Sequence, residues 1–277
     1  MGSVLGALAG AGWAKAPTVS LRPRKRPGGL GTRAAPGADA LIRTANLGGD
    51  VAYSVVEVKT GLMLESWRGD VGLPPASVTK AVTALYALDT LGPGFRFETR
   101  LLALGQVTNG VLDGDLVLAG GGDPSLDTNG LASMASQLKK SGLREVRGKL
   151  RVWGGALPFQ RVLDRTQPEH VSYNPSVSGL NLNYNRVHFE WKRSGGSYTV
   201  LMDARSTKYR PDVRIARISV AKRSMPVYTY ADKGDHDAWT VASGALGNGG
   251  ARWLPVRKPE AYAAEVFSTF ARSHGIV

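Results

Sequence analysis

The chain has 277 residues, of which 43% are hydrophobic, 21% charged and 8% aromatic, with no cysteine and a formal net charge of +13 at pH 7. That apolar content excludes disorder along the whole chain, and the length suits one large domain or two smaller ones. The absence of cysteine excludes disulfide scaffolds, thiol nucleophiles, Cys-ligated zinc and iron–sulfur clusters.

The first apolar stretch runs from Val4 to Ala14. It is about half of the ~20 residues that cross a bilayer, so no stable membrane span is expected. Ala14-Lys15-Ala16 follows with the small-x-small pattern of a cleavage site, which reads as a clipped or mis-started export signal, the alternative being an unstructured Gly/Ala leader. Residues 1–36 carry Lys15, Arg22, Arg24, Lys25, Arg26 and Arg33 and no acid. The prolines around Arg22–Arg26 and the lack of interleaved aromatics favour a solvated tether beside anionic envelope polymers over a nucleic-acid arm. Residues 1–37 are therefore set apart as leader and basic linker.

Val51–Val58 and Leu62–Ser66 alternate like strands around the turn Lys59-Thr60-Gly61. Pro74-Pro75 ends that hairpin, and Ser77–Leu91 reads as a helix closed by Gly92-Pro93-Gly94. Strands over Phe97–Leu104 and Asp115–Ala119 bracket Asn109-Gly110 and Asp113-Gly114 turns, and Gly120–Pro124 breaks the run. A polar-faced helix, Asn129–Ser141, precedes short strands near 146–153, 198–202, 213–221, 226–230 and 238–242. Tyr262, Val266 and Phe270 mark a last helix over Pro259–His274, capped by Gly275. The chain then stops at Ile276-Val277, as though cut short at the start of another strand.

His170, His188, His236 and His274 form no pair at metal-ligand spacing, so neither metal nor cofactor is expected. Asp232, Asp235, His236 and Asp237 lack a calcium-loop pattern and read as a polar hairpin tip. Gly120-Gly121-Gly122 lacks the Lys-Ser/Thr of a phosphate loop, and no Gly-x-Ser-x-Gly elbow occurs.

What remains is Ser-x-x-Lys, where a lysine one turn along a helix can take the proton from a serine hydroxyl. It occurs at Ser77/Lys80, Ser136/Lys139 and Ser219/Lys222. Ser219 and Lys222 lie in a strand-like stretch that sends them to opposite faces. Ser136/Lys139 sits late in its helix, where a cation suits the dipole. Ser77 and Lys80 instead begin a helix apolar nearly all round, the pattern of a buried helix. Burial and the helix dipole would both push an amine there toward the neutral base. The Ser77 N–H at the helix start could also hold an oxyanion. The plainer alternative is a serine cap with a snorkelling lysine.

Pro75-Ala76-Ser77-Val78-Thr79-Lys80, Leu118-Ala-Gly-Gly-Gly-Asp-Pro-Ser-Leu126 and Tyr173-Asn-Pro-Ser-Val-Ser-Gly-Leu-Asn-Leu-Asn-Tyr-Asn185 together resemble the D-Ala-D-Ala carboxypeptidase/endopeptidase family of low-molecular-mass penicillin-binding proteins. The resemblance covers about residues 37–277 and implies an α/β domain of the serine β-lactamase/transpeptidase type, here incomplete, with a β-rich inserted domain. On that basis 38–96 plus 259–277 would form the partial transpeptidase-like domain and 97–258 the insert. Ser77 would be acylated by peptidoglycan stem peptides or β-lactams in the cell envelope or periplasm, with Lys80 as base. Glu169 and Tyr173 are the nearest counterparts of the residues that contact the substrate's amino group in the family, although Tyr173 reads equally as a core aromatic. The family also uses Ser-x-Asn and Lys-Thr/Ser-Gly after the nucleophile. Ser172-Tyr173-Asn174 and Lys59-Thr60-Gly61 spell these motifs in the wrong order and read as coincidental, so turnover by this chain is in question. A non-catalytic cell-wall-binding remnant, a nucleic-acid binder and a β-lactamase proper are the competing readings.

Overall fold

The computed structural model describes residues 37–277. Residues 1–36, on which the expected export-signal remnant and basic linker fall, lie outside the described part. The chain divides into two units, one ending at Gly92 and the other running from Pro93 to Val277.

In the first unit, α1 (Ala38–Ala45) carries an Arg43–Asp39 ion pair at 2.6 Å. Strands β1 (Tyr53–Val56) and β2 (Met63–Trp67) pair antiparallel, Tyr53 opposite Trp67. Gly61 closes the connection at φ 74°, a left-handed conformation, and its N–H donates to the Glu57 carbonyl at 2.8 Å. A short 3₁₀ turn, Ala76–Val78, leads into α2 (Thr79–Leu91), which the Gly92 N–H ends by donating to the Leu88 carbonyl at 3.0 Å. Hairpin and helix fall where the sequence placed them, but the expected burial is missing. No residue from 37 to 92 is buried, and Val82, Leu85 and Tyr86 are 67%, 68% and 70% exposed.

The second unit begins with an antiparallel hairpin of β3 (Thr99–Thr108) and β4 (Val111–Gly120), against which β5 (Glu145–Val146) and β6 (Leu150–Trp153) run parallel to β4. Gly105 and Gly114 face each other across the hairpin at φ 153° and 154°. A β-carbon on Gly114 would meet the Leu104 carbonyl oxygen. Gly114→Ala is therefore expected to destabilise this unit by about 2 kcal/mol, which a melting experiment would show as a drop of roughly 4–8 °C.

Helix α3 (Thr128–Lys140) is capped by Asp127, whose carboxylate accepts from the Gly130 N–H at 2.8 Å. Strand β7 (Arg186–Ser194) is central in a three-stranded antiparallel sheet between β8 (Ser197–Asp203) and β12 (Gly249–Pro255). A second three-stranded sheet has β11 (Asp237–Ala242) between β9 (Ala216–Ala221), parallel to it, and β10 (Tyr228–Asp232), antiparallel. Helix α4 (Pro259–Ser273) packs on α3. One core joins these layers, through Leu112 and Leu118 of β4, Leu131 of α3, Phe189 of β7, Trp239 of β11 and Tyr262, Val266 and Phe267 of α4. The mixed α/β class is as expected. The division between the units falls after Gly92, and α4 belongs to the second.

His188 on β7 is 8% exposed, edge-on to Trp253 at 5.1 Å, with Nδ1 unpartnered among the described residues. Burial, and secondarily the charge of Arg205, lower its pKa below the ordinary 6.5. The unfolded chain thus takes up a proton near pH 6.5 that the folded chain refuses, so stability falls as the pH drops through and below that value. The urea midpoint followed by tryptophan fluorescence is expected to fall between pH 7.5 and pH 5, and His188→Gln to flatten that fall.

Candidate active site

Ser77 lies in the 3₁₀ turn and Lys80 in the first turn of α2, so three residues of right-handed rise bring them to one side. Lys80 Nζ donates to Ser77 Oγ at 2.7 Å. Neither Ser136/Lys139 nor Ser219/Lys222 makes this bond. Ala76, immediately before the serine, sits at φ 45°, a conformation unfavourable for a residue with a β-carbon. The Ser77 N–H has no acceptor among the described residues, which leaves a donor pointing from the helix start. Both Ser77 and Lys80 are exposed, so the burial expected at this helix start is absent among the described residues.

The two stretches that spell later motifs have other duties. Asn174 is 2% exposed. Its Oδ1 accepts from the N–H groups of Leu163 and Asp164 at 2.8 and 2.9 Å, and its Nδ2 donates to the Asp164 carbonyl at 2.7 Å. That asparagine is a loop fastener. Lys59-Thr60-Gly61 forms the β1–β2 turn, with Thr60 Oγ1 hydrogen-bonded to the Glu57 carboxylate. A third spelling, Lys140-Ser141-Gly142, ends α3, with Ser141 Oγ donating to the Leu138 carbonyl at 2.7 Å and Gly142 at φ 93°.

The Tyr173–Asn185 stretch belongs to the second unit and is knitted by buried amides. Asn183 Oδ1 accepts from the Thr128 N–H at 3.1 Å, and its Nδ2 donates to Thr128 Oγ1 at 2.9 Å. Asn185 Oδ1 accepts from the Leu182 N–H at 3.0 Å, while its Nδ2 donates to the Ser176 carbonyl at 2.7 Å and to Asn181 Oδ1 at 2.6 Å. Asn183, Tyr184 and Asn185 are all left-handed, φ 51°, 57° and 51°. Periodicity gives no hint of this knot; the density of asparagine, which tolerates that conformation, is its one signal.

Glu169 and Tyr173 also lie in the second unit. Arg161 holds the Glu169 carboxylate through two N–H donors at 3.1 and 3.3 Å. Tyr173 is 66% exposed and not a core aromatic; its hydroxyl donates to Gln167 Oε1 at 3.0 Å. Asp232 pairs with Lys258 at 2.7 Å and Asp235 with His236 at 2.7 Å, so the acidic tip is spent on separate partners. Among the described residues no group of three His, Asp or Glu is gathered for a metal, and no helix is long and apolar enough to cross a membrane.

Comparison with known proteins gives consistent relatives. The chain is 34% identical over 103 residues to D-alanyl-D-alanine carboxypeptidase DacB of Haemophilus influenzae, covering 37% of this chain and 22% of that protein. It is 35% identical over 147 residues to the D-alanyl-D-alanine carboxypeptidase of Actinomadura sp. strain R39, covering 52% of this chain and 27% of that protein. The crystal structure of penicillin-binding protein 4 (dacB) from Haemophilus influenzae matches with a TM-score of 0.59 at 22% identity, over 80% of this chain and 50% of that one. The same protein complexed with a β-lactam matches with a TM-score of 0.55 at 22% identity, over 81% of this chain and 49% of that one. The chain thus spans about a quarter of its curated relatives and half of the solved structures, which carry its fold. Residues 37–277, the whole described part, match the model of one family, and the chain therefore belongs to the D-Ala-D-Ala carboxypeptidase 3 (S13) family.

Proposed function

We propose that the chain carries the acylating pair of a serine-type D-Ala-D-Ala carboxypeptidase/endopeptidase acting on peptidoglycan stem peptides in the cell envelope, and that β-lactams acylate the same serine. The observation that carries this reading is the 2.7 Å Lys80 Nζ to Ser77 Oγ bond in the first turn of a helix. With the amine neutral, its lone pair accepts the hydroxyl proton as Oγ bonds to the carbonyl carbon of the penultimate D-alanine. The unpaired Ser77 N–H faces the developing oxyanion. Collapse breaks the C–N bond, the protonated lysine returns its proton to the departing D-alanine amine, and water then hydrolyses the ester to free the shortened peptide and Ser77. A β-lactam opens by the same attack on its ring amide.

Turnover is proposed to be slow. Neither Ser172-Tyr173-Asn174 nor Lys59-Thr60-Gly61 is placed as a strand-borne partner, and losing one oxyanion donor costs about 10²–10³ in rate. The exposure of α2 together with these two spent motifs favours one second reading, a non-catalytic chain that binds the cell wall. Release of D-alanine from a D-Ala-D-Ala pentapeptide, measured by chromatography, separates the two. Sustained release above that of Ser77→Ala supports the hydrolase, whereas affinity for sacculi without any D-alanine supports the binder.

A further inference from the structure

A second cleft, of about 480 Å³, opens in the second unit between the loop at His170, strands β10 and β11, and β12. We propose that it is a receptor for a carboxylate carried on a small aliphatic group. Arg252 supplies the cation. Its guanidinium lies 4.7 Å from the centroid of the Tyr228 ring, it has no carboxylate partner among the described residues, and its buried Nε–H has no acceptor. Trp239, 1% exposed, lines the same cleft, and its indole N–H, itself shut off from solvent, also lacks an acceptor among the described residues. Both groups can only donate. His170 stacks on Tyr228 at 4.9 Å, helping to fix the ring on which Arg252 rests.

The carboxylate and several hydroxyl acceptors around the cleft are already engaged. Glu169 is taken by Arg161 at 3.1 Å, with Arg257 a further 3.7 Å away, and Tyr230 gives its hydroxyl proton to Asp237 at 2.9 Å. Thr229 and Thr240 bond each other at 2.6 Å. A His170 ring nitrogen and the Tyr228 hydroxyl keep acceptor capacity, but the one strong charge left without a partner is that of Arg252, which selects an anion, and a cation pre-set on an aromatic face loses little entropy in binding one. Met225, Pro226 and Val227 complete an aliphatic wall. The volume suits a group the size of an acylated amino acid or one sugar.

The choice of probes rests on the peptidoglycan reading, whose polymers carry such a carboxylate on the terminal D-alanine and, where the stem peptide has been cut away, on the lactyl ether. N-acetylmuramic acid and N-acetyl-D-alanine are titrated into the purified chain, with neutral N-acetylglucosamine as control, following tryptophan fluorescence and the indole N–H resonance of Trp239. At least one anion is expected to bind tenfold or more tightly than the neutral sugar and to shift that resonance, and the tighter of the two names the source. Arg252→Gln is expected to lose tenfold or more in affinity, and Tyr228→Leu, which removes the ring beneath the guanidinium, severalfold. Equal binding of the neutral sugar, no binding of either anion by the wild type, or full affinity in folded Arg252→Gln would overturn the proposal. Penicillin labelling of Ser77 is scored separately on the wild type. Anion binding without label sinks only the acyl-serine reading, and label without anion binding sinks only the cleft.

Discussion

Ser77→Ala is expected to abolish covalent labelling by a fluorescent penicillin, and Lys80→Met to slow it by about 10²–10⁴-fold. The first effect is absolute because the label is an ester on Oγ. The second reflects the loss of the one side-chain group that, among the described residues, is hydrogen-bonded to that oxygen, Nζ at 2.7 Å. Lys80→Arg discriminates between a base and a mere cation. Arginine stays protonated at any working pH and cannot accept the serine proton, so it should be as slow as methionine. Recovery of the wild-type rate in Lys80→Arg, or labelling that survives Ser77→Ala, would defeat the assignment.

Asn185→Ala is expected to remove about 3 kcal/mol of stability, read as a lower urea midpoint with an unchanged slope. Alanine leaves the Leu182 N–H and the Ser176 carbonyl without the amide that now serves both, in a site where Asn185 is 2% exposed. It also places a β-carbon without a compensating polar group at φ 51°. Asn185→Gly relieves the backbone but not the stranded groups, so it should recover only about 1 kcal/mol. A loss below about 1 kcal/mol in Asn185→Ala would mean the knot is not a structural fastener.

The first hairpin, α2, α3 and α4 were legible in the sequence because punctuation and period agree there: Gly61 at a left-handed turn, Gly92 at a helix end, and Tyr262, Val266 and Phe270 one turn apart. Strand β12 was missed because Gly249-Gly250 and Pro255 read as turn residues; it lies at the edge of its sheet, where such residues are tolerated. Strand β7, which alternates Val187, Phe189 and Trp191 with polar residues, follows the asparagine knot, and the knot's composition reads as loop. For α4 an apolar stripe states that a helix packs and not against what; the partner is α3. The Ser77–Lys80 adjacency follows from helical spacing alone. The surroundings of Lys80 do not, since what covers a helix is a tertiary fact.

The bare surface of residues 37–92 carries a kinetic consequence. With no residue fully buried there, little holds α2 in register against fraying, and its amide protons should exchange with solvent far sooner than those of β4 or α4. The geometry of the Ser77–Lys80 pair would then exist for only part of the time, and any surface that clamps the helix would raise the acylation rate without touching either reacting group.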